Sequence, residues 1–251
     1  ATAIVRGSFE YQGQKCSASS RIYLPKSLWP DLKDEIRSQV NEITVGPPED
    51  FTNFVNAVID ERAFNKIVGY IEYAREDDAS TILCGGDYDD TSGYFIEPTV
   101  VVTTDPKHKC MREEIFGPVT TLYVYPDDEF ASTLSLVDET SPYGLTGAIF
   151  AEDRTAIRLA ADVLEQAAGN FYVNDKPTGA VVGQQPFGGA RKSGTNDKAG
   201  SAFNLMQWVS PRAIKENFNP PRHFGYEWNQ PDLEEQSTVA RTEAGDGSVS
   251  S

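Results

Sequence analysis

Near its start the chain reads Gly13-Gln14-Lys15-Cys16-Ser17, which sets a cysteine between a glycine turn and small polar residues rather than inside an apolar run. A thiol so placed can attack carbonyl carbon, because the thiolate is strongly nucleophilic and a neighbouring cation favours it over the thiol. Lys15 supplies that cation. Taken alone, the pattern fits a half-buried structural cysteine as well. Two further segments stand out downstream, Glu113-Glu114-Ile115-Phe116-Gly117-Pro118 and Gln185-Pro186-Phe187-Gly188-Gly189. Cys84 closes the apolar run Thr81-Ile82-Leu83 and Cys110 sits beside Lys109 and near Arg112; both are read as structural, Cys84 as a buried strand residue. Three dispersed cysteines suit a reducing compartment and offer neither zinc spacing nor a disulfide framework.

Other chemistries are poorly served. His108 and His223 are the only histidines, which leaves no multi-histidine metal site and argues against a Ser-His-Asp hydrolase. A Cys-His hydrolase pairing Cys16 with either histidine stays open. Asp87 to Gly93 matches a calcium loop only loosely, since its glycine falls one position late and the terminal glutamate is misplaced, so a solvated turn between strands is expected. Between Gly183 and Ser193 the lysine does not directly follow the second glycine of a phosphate-loop spacing. No Gly-x-Gly-x-x-Gly follows a strand, so a self-contained dinucleotide site is not expected, nor is a metal site.

The 251 residues can bury a substantial core, with 39% hydrophobic and 24% charged residues, as in an ordinary globular protein. A formal net charge of -16 argues against nucleic acid or an anionic membrane as partner. No apolar run is long enough to span a bilayer. The opening Ala1-Thr2-Ala3-Ile4-Val5 shows no signal peptide and reads as cut from something larger, with any targeting segment ahead of it.

Periodicity supplies the elements that must position these residues. Helices are predicted from Leu28 to about Ile43 with Ser27 as cap, from Asp60 through Ile71, over Asp127–Asp138, and from Asp153 to Ala168, where Gly169 is expected to stop the helix in the left-handed conformation. Extended runs are Ser80–Cys84, Tyr94–Thr103, Val119–Tyr125, Leu145–Ala151, Asn170–Asn174 and, more polar, Trp208–Phe218. Alternating strands and helices predict an α/β fold with a mostly parallel sheet covered on both faces. Asn229–Ser251, rich in Asp, Glu, Ser, Thr and Gly, reads as a disordered acidic tail.

The Cys16 segment, the Glu-Ile-Phe-Gly-Pro segment and the Pro-Phe-Gly-Gly segment, in that order, resemble the catalytic half of the aldehyde dehydrogenase superfamily. The run Phe9-Glu10-Tyr11-Gln12-Gly13, with Lys15 and Ser17 flanking the cysteine and Ser193-Gly194-Thr195-Asn196-Asp197 downstream, is most similar to the pyrroline-5-carboxylate (glutamate semialdehyde) dehydrogenase branch. The resemblance runs from the first residue to about Phe218. It implies a three-layer αβα sandwich, divided into a catalytic domain over 1–206, an oligomerisation flap strand over 207–218 and a C-terminal extension over 219–251. It implies that Cys16 is the nucleophile, its backbone N–H an oxyanion donor, and that the hemithioacetal passes hydride to NAD. Glu114 and Phe116 would hold the nicotinamide riboside. Lys15, Ser17, Gly179, Ala180 and Phe187 would bind the substrate, with Lys15 and Ser17 pairing with its carboxylate. The partners implied are a small aldehyde and other copies of the chain through Trp208–Phe218; the compartment is the mitochondrial matrix in a eukaryote, the cytoplasm otherwise. The family's nucleotide-binding domain, glutamate general base and side-chain oxyanion donor precede the Cys16 segment, so the activity implied is that of the intact enzyme. A non-catalytic fragment acting through oligomerisation, or a dehydrogenase for another semialdehyde, are the alternatives.

Overall fold

Runs of β-branched and aromatic residues become strands largely where their pattern places them. The protein, described by a computed structural model over residues 1–181 and 183–229, contains α1 (Thr2–Phe9), β1 (Arg21–Pro25), α2 (Trp29–Asn41), α3 (Glu61–Glu76), β2 (Ser80–Cys84), β3 (Tyr88–Asp89), β4 (Phe95–Ile96) and β5 (Thr99–Thr103). It continues with α4 (Lys109–Arg112), β6 (Val119–Tyr125), α5 (Phe130–Thr140), β7 (Tyr143–Gly144), β8 (Thr146–Ile149), α6 (Arg154–Val163), β9 (Asn170–Val173), β10 (Ala190–Arg191) and α7 (Ala202–Leu205).

The main sheet has the order β1-β6-β5-β2. β1, β6 and β5 run parallel, while β2 joins β5 antiparallel with a bulge between Ile82 and Cys84. Neighbouring strand residues point to opposite faces, and β5 shows it. Val101 packs under α3 with Phe64, Ile67, Ile71 and Val119. Val100 faces α1 and α2 with Val5, Phe9, Ile36, Val40 and Leu122. Helices on both faces of a mainly parallel sheet make the expected three-layer α/β fold. Each fully buried Ile or Phe in these layers contributes about 1.5–3 kcal/mol. A third cluster joins α5 and α6 through Leu134, Ala160 and Leu164, with Ile149 of β8 and Phe171 of β9 against it; β8 and β9 pair in parallel.

Several boundaries moved for local reasons. Tyr94–Thr103 splits into β4 and β5 around Pro98, which has no N–H for a ladder. Within Asp87 to Gly93, expected to be a turn throughout, Tyr88–Asp89 pair with β4 as strand β3, and only Asp90 to Gly93 lie in the turn of the hairpin. Asp89 there accepts from Thr91 Oγ1, Ser92 Oγ and the Thr91 N–H, and these bonds hold its carboxyl down at about 2. Ser27 does not cap α2; its hydroxyl donates to Asp127, and the helix begins at Trp29 with Pro30 in its first turn. α6 stops at Val163 rather than Ala168, and Gly169 is not left-handed. Glycine is required there by crowding instead: a Cβ would stand 2.0 Å from the Gly188 carbonyl oxygen.

The strand expected over Trp208–Phe218 is absent. Met206–Trp208 is a single 3-10 turn and 209–217 has no regular structure. A strand exists only where its N–H and C=O groups find a ladder partner, and none reaches this segment among the described residues. Ala1–Val209 forms one compact unit. Residues 210–229, considered by themselves, hold one 3-10 turn at Glu227–Asn229; most of the expected acidic tail lies outside the described residues. Among the described residues no helix is long and apolar enough to cross a membrane.

Asp60 does cap α3, its carboxylate accepting from the Ala63 N–H at 2.7 Å. Asp60→Ala is expected to lower stability by about 1 kcal/mol, read as a lower urea midpoint with an unchanged slope; an unchanged midpoint contradicts the cap.

Candidate active site

The Cys16 loop is tied at both ends before it turns. Ser8 Oγ donates to the Ser19 carbonyl at 2.8 Å, and the Ser19 N–H to the Gly7 carbonyl at 2.9 Å. Between the ties the backbone must reverse within a few residues, and three in succession are left-handed: Tyr11 (φ 56°), Gln12 (φ 57°) and Gly13 (φ 65°). A Cβ at Gly13 would stand 2.1 Å from the Gly117 carbonyl oxygen. The Cys16 segment therefore meets the Ile115-Phe116-Gly117 segment only because residue 13 is glycine. Gln12 Nε2 donates to the Ala57 carbonyl at 3.4 Å, and Gln14 Oε1 accepts from the Ile59 N–H at 3.0 Å. A turn follows, closed by the Ala18 N–H on the Lys15 carbonyl at 3.0 Å, with Cys16 and Ser17 at its central positions.

Cys16 is exposed, whereas Ser17 beside it is buried. The Cys16 N–H donates to no group among the described residues. The thiol opens on a cleft of about 220 Å³ whose walls include Arg21, Arg112, Glu114, Tyr143 and Lys192. Volume alone does not mark the site, because a hollow of about 410 Å³ beside Val45, Asp87 and Glu97 contains no cysteine. The other thiols are suppressed by their surroundings. Burial pushes Cys110 up to about 12 and Cys84 up to about 11.

The structure thus brings together two of the residues singled out from sequence, Cys16 and Glu114. The side chain of Glu113 is engaged by the Tyr70 hydroxyl at 2.7 Å, and burial together with that carboxylate raises Tyr70 to about 12. Glu114 is held through its backbone, the carbonyl accepting from Lys66 Nζ at 2.8 Å, and its carboxylate makes no hydrogen bond among the described residues. Phe116 is 43% exposed in a left-handed conformation (φ 61°). Phe116, Lys15, Ser17, Gly179, Ala180 and Phe187 do not line the cleft itself. Phe187 is half-buried on a clamped loop. Its N–H and C=O pair with Ala199, and Asn170 binds the Pro186 carbonyl and the Gly188 N–H, each at 3.1 Å. Gly179 is left-handed and exposed, with φ 83°.

Lys15 is engaged elsewhere than at the thiol: its Nζ lies 2.9 Å from Glu10 Oε2, and Lys176 Nζ lies 3.1 Å from the same oxygen. Burial opposes the charge on Glu10, but hydrogen bonds and attraction from the two lysines outweigh it and hold the carboxyl below its ordinary value. No sequence motif pointed to Lys176 or Thr178, because 166 and 168 residues separate them from Glu10. His108 does not line the Cys16 cleft. It is buried, its Nδ1 accepts from the Cys110 N–H at 3.3 Å, and burial lowers its pKa against the pull of Asp77.

Known proteins resemble this chain in sequence and in fold. The aldehyde dehydrogenase family model matches residues 1–214. The mitochondrial delta-1-pyrroline-5-carboxylate dehydrogenase of Dictyostelium discoideum is 57% identical over 222 residues, 88% of this chain and 40% of that protein. The human mitochondrial protein of the same name is 52% identical over 227 residues, 90% of this chain and 40% of that protein. The crystal structure of the Mycobacterium tuberculosis delta-pyrroline-5-carboxylate dehydrogenase bound with NAD superposes with a TM-score of 0.81 at 50% identity, covering 90% of this chain and 41% of that one. The chain therefore spans about 40% of the length of the curated relatives it matches. With a matching model over most of the chain, and a matching fold around an exposed cysteine, the chain belongs to the aldehyde dehydrogenase family.

Proposed function

We propose that this chain is the catalytic portion of an NAD-dependent dehydrogenase that oxidises glutamate semialdehyde, the open form of pyrroline-5-carboxylate, to glutamate in proline catabolism. The observation that carries the reading is the single cleft shared by an exposed Cys16 and Glu114. Residues 1–206 form the catalytic body. The 207–218 segment serves as the flap of a homo-oligomer, a role to which the exposed Trp208 and Val209 are suited. In a eukaryote the compartment is the mitochondrial matrix, a reading supported by relatives whose names say mitochondrial.

Cys16 attacks the aldehyde carbon as thiolate, forming the C–S bond of a hemithioacetal while the carbonyl π electrons move to oxygen. The Cys16 N–H, without a partner among the described residues, is left to donate to that developing charge; one such donor is typically worth ~3 kcal/mol. Glu114 fits a dinucleotide's ribose, since its carboxylate is unengaged, half of the acidic pair is held off by Tyr70, and Phe116 offers an exposed ring nearby in sequence. NAD bound there supplies the hydride acceptor. Water then attacks the acyl carbon of the Cys16 thioester, the C–S bond breaks, Cys16 leaves as thiolate, and the two protons of the water pass to solvent as the carboxylate product forms. Lys15, Ser17 and the Gly179–Ala180 loop receive the substrate's carboxylate, and Phe187 walls the aldehyde pocket.

Protection of Cys16 tests this without cofactor. Glutamate semialdehyde should slow iodoacetamide alkylation of Cys16, followed by peptide mapping, more than an uncharged aldehyde of equal length and concentration. Equal protection by both removes the carboxylate-recognition roles. No protection by either removes Cys16 as the aldehyde nucleophile.

A further inference from the structure

Glu10 holds together two segments far apart in the sequence. Lys176 Nζ is saturated, donating to Glu10 Oε2 at 3.1 Å, Thr178 Oγ1 at 2.9 Å and the Thr178 carbonyl at 3.3 Å, and an ammonium has three protons to give. Lys15 Nζ makes one bond among the described residues, 2.9 Å to that same carboxylate oxygen. Thr178, itself only 5% exposed, adds a contact of 3.3 Å from its hydroxyl to Glu10 Oε2. The Glu10 and Lys176 side chains are 23% exposed, which leaves their attraction less screened than at an open surface. One end of this cluster is adjacent to Cys16, and the other immediately precedes Gly179.

Resting on the reading of Cys16 as nucleophile, we propose that Glu10 is a positioning residue for it. By holding Lys15 and Lys176 on one oxygen, Glu10 ties the nucleophile's turn to the loop at Gly179 and keeps the charge of Lys15 from acting fully on the thiol. Lys15 beside an anion is nearly a dipole, whose field at the neighbouring residue is weak; without the anion it is a bare cation one residue from the sulfur. The other charged groups around the thiol are Arg21, Arg112, Lys192, Glu113 and Glu114 in the cleft. None of them bonds to Glu10, so changing Glu10 isolates the contribution of Lys15 and Lys176.

The rate of Cys16 alkylation by iodoacetamide, followed against pH in the whole chain with peptide mapping, decides the matter. In Glu10→Gln the rate near pH 7 should rise roughly three- to tenfold, with the midpoint of the profile moved to lower pH and the high-pH plateau unchanged. Glu10→Asp, which keeps the charge, should restore most of the original profile. Adding Lys15→Met to Glu10→Gln should cancel the gain. An unmoved midpoint in Glu10→Gln overturns the proposal, as does labelling that spreads to Cys84 and Cys110 without a change of midpoint, which would make Glu10 a support of the fold alone. Failure of the nucleophile reading is visible separately, as an original chain in which Cys16 is not the thiol labelled first.

Discussion

Gly13→Ala should destabilise the fold by about 3–5 kcal/mol and lower the thermal midpoint by roughly 10 °C. Two costs add. At φ 65° a Cβ crowds its own backbone, and it would meet the Gly117 carbonyl oxygen at 2.1 Å, the Gly117 carbonyl carbon at 2.6 Å and the Ser8 carbonyl oxygen at 2.9 Å. All three are backbone atoms, which no rotamer change can move aside. Because Gly117 follows Phe116, the displacement would also part the thiol's segment from the Glu114–Phe116 segment. Gly69, in the middle of α3 with nothing within 4 Å of its would-be Cβ, is the matched control. Gly69→Ala should raise stability by about 0.5–1 kcal/mol. Calorimetry of the two variants reads both signs, and equal small effects would show that the close approach at Gly13 is absent in solution.

Cys16→Ala should remove nearly all covalent capture of an acyl group. With p-nitrophenyl acetate near pH 8, the original chain should release a burst of nitrophenolate approaching one equivalent, with the acetyl group on Cys16. The remaining thiols cannot substitute. At about 11 for Cys84 and about 12 for Cys110, their thiolate fractions at pH 8 are on the order of a thousandth or less. The burst rate should therefore fall at least a hundredfold in Cys16→Ala. A burst of undiminished rate would place the reactive nucleophile elsewhere and end the mechanism drawn from Cys16.

Much of this protein was legible from local pattern. Ser80–Cys84 and Val119–Tyr125 formed strands over the predicted residues because β-branched density is a property of the segment itself. Asp60 and Asp153 capped their helices because a carboxylate reaches N–H groups two or three residues ahead whatever the rest of the chain does. Ser27 did not, since Asp127 offered its hydroxyl a stronger acceptor that only folding brings near. The three segments around Cys16, Phe116 and Phe187 carried the family assignment as residue order alone.

Tertiary structure decided what depends on distance between segments. Gly169 looked like a helix stop and proved to be a point of close approach to Gly188, a distinction no one-dimensional pattern contains. Trp208–Phe218 has strand-like composition but gains strand geometry only from a ladder partner, and none among the described residues supplies one. Lys15 looked like a free cation beside the thiol, and its ammonium is paired instead with Glu10, which also binds Lys176. Residue types along the chain set which groups can ionise, bond or react. Which of those groups face one another is set by how the sheet and its helices pack, because Coulomb attraction and hydrogen bonds act over a few ångströms of space and take no account of sequence separation.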